Sequence, residues 1–103
     1  MINVSSVKNY LKIPYDDDDG FIKNIITAGY DYLRGAIDDF DDIYADDPGF
    51  ASKADLWVLT MYIPPAYDDR EGAYSGGAAM SYGARAMLTQ LQTYRVEDKT
   101  NGT

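Results

Sequence analysis

The chain has 103 residues, 46% of them hydrophobic and 25% charged, with a net charge of −8. That is the size of one domain with a modest core, and the composition is too apolar for a disordered chain. Cysteine and histidine are both absent, which excludes disulfides, thiolate metal sites and thiol nucleophiles and removes the commonest general base.

In chain order, the first predicted element is a short helix. Ser5 is placed to cap it, Val4 to act as a hydrophobic staple, and Val7, Tyr10 and Leu11 to share one face. Pro14 ends it, because the residue before a proline is pushed out of the α region. Two turns of helix survive only by leaning on neighbours. Tyr15 to Gly20 reads as a turn, with Asp17 or Asp18 as the N-cap of a longer helix. Ile22, Ile25, Ile26, Gly29, Leu33, Ile37 and Phe40 then recur every three or four residues, a continuous stripe of about five turns. From Asp38 the pattern dissolves into aspartates, and Asp47-Pro48-Gly49 reads as a loop. A third helix places Phe50, Ala54, Trp57, Val58 and Met61 on one side until Pro64-Pro65, which should kink or break it. Pro65 can start a further short turn through Tyr67 and Arg70. Ala73 to Ser81 is small and glycine-rich, a flexible loop before the last helix, Tyr82 to Gln92, which carries Met87, Leu88 and Leu91. The expected fold class is therefore all-α: a small bundle of about four helices, with one domain over residues 1–96 and a flexible polar tail over 97–103.

The charge is uneven. Residues 16–47 hold eleven aspartates against Lys23 and Arg34, whereas residues 1–15 hold Lys8 and Lys12 and no acid. Such a field repels phosphate, disfavours a DNA-gripping surface and favours partners with basic patches. No apolar run approaches the roughly 20 residues that span a bilayer, and Met1 to Ser5 lacks the regions of a secretory signal. The expectation is a cytoplasmic protein without membrane partners.

Sites for chemistry are weak. Asp17, Asp19 and Gly20 fit part of a calcium loop, but its first and twelfth ligand positions fall on Tyr15 and Ile26, so a solvated turn is the better reading. Asp38, Asp39, Asp41 and Asp42 resemble a two-metal or acid–base pair only superficially, with nothing flanking them to tune a pKa. Ser75-Gly76-Gly77 lacks the lysine and the preceding strand of a phosphate loop. The expectation is no enzyme, no cofactor and no metal. Ten tyrosines are more telling: an apolar ring with a wet edge suits subunit interfaces as well as a small core.

Val4-Ser5-Ser6-Val7-Lys8-Asn9-Tyr10-Leu11, an acidic turn, an Ile-rich helix, Tyr67-Asp68-Asp69-Arg70-Glu71, Gly83-Ala84-Arg85-Ala86-Met87-Leu88 and Tyr94-Arg95-Val96 follow in that order. Over residues 4–96 this resembles the head–tail connector (adaptor, DNA-packaging connector) family of tailed bacteriophages. The family has a Tyr-x-x-Arg-Glu element before a flexible loop, and a closing helix leading into Tyr-Arg-Val. Pro64-Pro65 and the density of aspartates depart from its pattern. The resemblance implies a subunit of the virion neck, assembled in the host cytoplasm as a ring of about a dozen copies. Its implied partners are itself, the portal protein and a downstream neck or head-closure protein, with DNA passing through unbound. It further implies Tyr67, Arg70, Glu71, Arg85, Tyr94 and Arg95 as subunit or partner contacts, and Asp38, Asp39, Asp41 and Asp42 as an acidic face toward the channel or rim. The alternative expectation is an acidic helical partner-binding module, such as a DNA-mimic inhibitor.

Overall fold

The computed structural model describes residues 1–68 and 82–102, with side chains as far as residue 94. Among the described residues every regular element is helical, so the all-α expectation stands. There are more helices than four because single predicted segments divide.

Helix α1 spans Val4–Leu11. Its cap is Asn3, not Ser5: Asn3 Oδ1 accepts from the Ser6 amide at 2.9 Å, and Ser6 Oγ accepts from the Asn3 amide at 3.3 Å. Two of the free amide donors at the helix start are thereby satisfied reciprocally. The helix closes at Lys12, which takes φ 59°, so the chain has turned before Pro14 is reached. Val7 is buried, but Tyr10 is 47% exposed, because it lies about 60° around the axis beyond Val7.

Helix α2 (Asp19–Ala36) buries Ile22, Ile25, Ile26, Gly29, Tyr30 and Leu33, the predicted stripe. Ile37 and Phe40 are buried too, at 4% and 2% exposure, but the helix does not carry them there. Ile37 is extended and Asp39 takes φ 59°, a conformation that aspartate tolerates better than most residues. The corner starts a new helix, α3 (Phe40–Asp46), where a loop was expected. Phe40, Ile43 and Tyr44 sit at helical spacing and pack on the core.

Asp47-Pro48-Gly49 is likewise the start of a helix. Asp47 Oδ1 accepts from the Gly49 and Phe50 amides at 3.0 and 3.2 Å, and Pro48 opens α4 (Pro48–Trp57), where its missing donor costs nothing. A π-helical turn, Val58–Tyr62, continues directly into α5 (Ile63–Asp68), so Pro64-Pro65 does not break the chain's course. The Ile63 amide reaches back five residues to the Val58 carbonyl. The wider turn gives room to the carbonyls that two successive proline rings would otherwise strike.

Helix α6 (Tyr82–Gly102) runs ten residues past the predicted end at Gln92. It lays Ala84, Leu88 and Leu91 on the core, and the buried Trp57 Nε1 donates to the Ala84 carbonyl at 2.9 Å. Arg70, Glu71 and the predicted glycine-rich loop at 73–81 lie outside the described residues, as does the side chain of Arg95.

Candidate functional site

Three polar clusters lock the bundle. In the first, the half-buried Asp55 of α4 accepts from Tyr30 Oη of α2 at 2.6 Å and from Tyr44 Oη of α3 at 2.8 Å. Tyr30 Oη in turn accepts from the Ile2 amide at 3.1 Å. One carboxylate thus joins three helices and the chain's N-terminal segment. Burial, reinforced by the hydrogen bond to Asp55, pushes the Tyr44 phenol up to about 12 and raises that of Tyr30 well above its ordinary value. An unfolded chain releases both protons near pH 10, while the folded one holds them. The stability they contribute is therefore complete below pH 10 and is lost as pH rises from there through about 12. Denaturant midpoints measured across that window should fall with pH, and the Tyr44→Phe variant should fall less steeply.

The second cluster ties the acidic turn to α1 and α5. Lys8 Nζ pairs with Asp16 and lies 3.0 Å from Asp19 Oδ1. The hydrogen bond from Lys8 holds the Asp16 carboxyl below the usual range. Tyr67 Oη donates to Asp18 Oδ2 at 2.6 Å, and Tyr15 Oη is 3.2 Å from Tyr67 Oη. Of the two aspartates that invited a calcium reading, Asp19 is engaged by Lys8, whereas Asp17 stands exposed. Among the described residues no group of three or more acidic side chains converges to hold a metal ion. In the third cluster, Arg34 spans Asp31 at 2.7 Å and Asp41 at 3.0 Å.

The predicted interface residues are dispersed. Tyr67 is half-buried and faces its own chain, with its ring 6.1 Å from Phe21. Arg85 lies on the exposed side of α6, where its carbonyl accepts from Thr89 Oγ1. Tyr94 is half-buried and packs its ring 5.8 Å from Phe50. Asp38, Asp39, Asp41 and Asp42 are all exposed at the α2–α3 corner, where Asp41 is engaged by Arg34.

The feature that sequence reasoning missed lies beside Tyr94. Between α4 and α6 runs a groove of about 460 Å³, with Leu56, Met87, Leu91 and Tyr94 among its walls and Lys53 at its edge. Leu56 is 50% exposed. The signal was present: Leu56 falls off the Phe50, Ala54, Trp57 face, and a large apolar side chain there has no core to enter. A second hollow, beside Ile2, Val4, Lys23 and Ile26, lies between the N-terminal segment and α2. Gln90 and Thr93 also line the groove, and Asn3, Ser5 and Thr27 also line the second hollow. Among the described residues no helix is long and apolar enough to cross a membrane. No protein-family model matches the chain, and neither a curated protein nor a solved structure shows significant similarity to it.

Proposed function

We propose that the chain is a structural subunit of a bacteriophage neck, one of a ring of about a dozen copies that joins the portal to the downstream neck proteins and lets DNA pass. What supports the reading most is the order of segments over residues 4–96, set in an all-α bundle of the kind that order implies. The exposed aspartates at the α2–α3 corner are consistent with a wall that repels phosphate and does not trap DNA in transit. The open α4–α6 groove offers apolar surface for a protein neighbour.

The test is the solution mass of the purified chain by light scattering, alone and mixed with the portal protein of the same genome. A ring-sized species or a stoichiometric portal complex is the expected result. A monomer indifferent to the portal would overturn the proposal and move the acidic partner-binding module to the front.

A further inference from the structure

Few large apolar side chains stand in solvent among the described residues: Met1, Tyr10, Tyr15, Leu56 and Tyr82. Leu56 belongs to the α4–α6 groove, whose edge carries Lys53, an exposed cation with no ion pair among the described residues. Tyr10 and Tyr15, 47% and 45% exposed, belong to a different part of the molecule, α1 and the turn that follows it. That turn is acidic. Lys8 engages Asp16 and Asp19, and Tyr67 engages Asp18, which leaves Asp17 exposed and without an ion pair among the described residues.

The α4–α6 groove therefore combines apolar walls at Leu56, Met87 and Leu91 with polar Gln90 and Thr93 and the Lys53 cation. Helix α1 and the turn after it carry two exposed tyrosines, Tyr10 and Tyr15, and, in the same turn as Tyr15, the exposed carboxylate of Asp17. We infer that the two surfaces meet between copies of this chain: the Tyr10–Asp17 knob of one copy seats in the α4–α6 groove of the next, with Tyr15 over Leu56 and Met87 and Asp17 against Lys53. Charge complementarity selects this occupant. The acidic α2–α3 corner also offers carboxylates, but its apolar residues Ile37 and Phe40 are already buried in the core and offer a neighbour no ring. Because knob and groove are different surfaces, the contact is head-to-tail, and each copy keeps one of each to offer onward. The inference rests on the ring reading and names the interface within it.

The experiment uses the full chain, alone and on the portal protein, with mass read by light scattering and helicity by circular dichroism. With Tyr15→Phe controlling for the lost Tyr15–Tyr67 hydroxyl contact, the groove variant Leu56→Asp and the knob variant Tyr15→Asp both alter exposed positions. Each should stay folded and weaken association by at least about tenfold. Mixed together, they should form dimers and stop, since only one intact knob and one intact groove remain between them. Reversing one charge with Lys53→Asp or Asp17→Lys should weaken assembly, and both reversals in one chain should restore it. Variants that remain folded yet assemble as the unaltered chain does would overturn this interface while leaving the ring standing. An unaltered chain that stays monomeric even with the portal would overturn both.

Discussion

Replacing Trp57 with alanine should destabilise the protein by about 3–5 kcal/mol, a large share of the roughly 5–15 kcal/mol that holds a domain folded. Trp57 is fully buried and is the largest such side chain in the core. Its ring stacks on Tyr32 at 5.8 Å and 15°, and lies 5.9 Å from Tyr62, so its removal opens a void bordered by α2 and the π turn together. Stiff rings on that border cannot collapse into the space, and the cavity persists. The indole also holds α6, because its Nε1 donates to the Ala84 carbonyl in a buried bond. Alanine removes the indole donor while the Ala84 carbonyl keeps its place inside helix α6, so the lost bond adds about 0.5–1.5 kcal/mol. The Trp57→Phe variant separates the two effects, since it keeps most of the volume and loses the hydrogen bond. Urea unfolding followed by circular dichroism should give the midpoint order native, Trp57→Phe, Trp57→Ala. A Trp57→Phe midpoint equal to the native one would mean that the hydrogen bond contributes nothing.

How much of this was legible beforehand depends on whether the signal was periodic or geometric. The stripe from Ile22 to Phe40 named its buried residues correctly through Ile37 and Phe40. Periodicity reports which side chains face inward, and burial obeyed it. It does not report whether the backbone is continuous, and here the helix stops at Ala36 and restarts at Phe40. The corner depends on one positive φ at Asp39, and in a run of aspartates nothing distinguishes the residue that will take it. The aspartates also concealed α3, because their low helix propensity argued for a loop while Phe40, Ile43 and Tyr44 carried the helical spacing. Asn3 was overlooked because its box closes with a serine at the position where a glutamate or glutamine is usual.

The prolines are the opposite case. Their chemistry was read correctly, since neither can donate a helical hydrogen bond, but a break was only one solution. The chain instead inserts one extra residue into the preceding turn and continues. A local rule constrains the backbone without choosing among the ways of obeying it. The interaction surface was the least legible part. The groove exists only because α6 returns along α4, and no spacing within either helix encodes that pairing.

Gly29 and Gly35 should respond to alanine with opposite signs, although both lie in α2. Alanine in a helix interior is favoured over glycine by about 1 kcal/mol, because glycine loses more backbone freedom on folding. At Gly35 nothing lies within 4 Å of an added Cβ, so the preference is free to act and Gly35→Ala should gain about 0.5–1 kcal/mol. At Gly29 the added carbon would stand 2.9 Å from Val58 Cγ1 and 3.1 Å from Tyr62 Cδ1. Valine is locked at χ1 in a helix, and the Tyr62 ring is itself wedged against Tyr32 and Trp57, so neither neighbour yields cheaply. Overpacking of this kind costs about 1–3 kcal/mol, which exceeds the propensity gain. Gly29→Ala should therefore lose up to about 2 kcal/mol net, and for a domain of this size each kilocalorie moves Tm by about 4–8 °C. Gly29→Leu should lose more, because its longer chain enters the seam where α2 meets the π turn. Thermal melts of the two alanine variants against the native chain check the pair. If Gly29→Ala were as stabilising as Gly35→Ala, α2 and the π turn would have room between them. Gly29 would then serve only as a helix residue, and the close approach would not be what places Val58 and Tyr62 against α2.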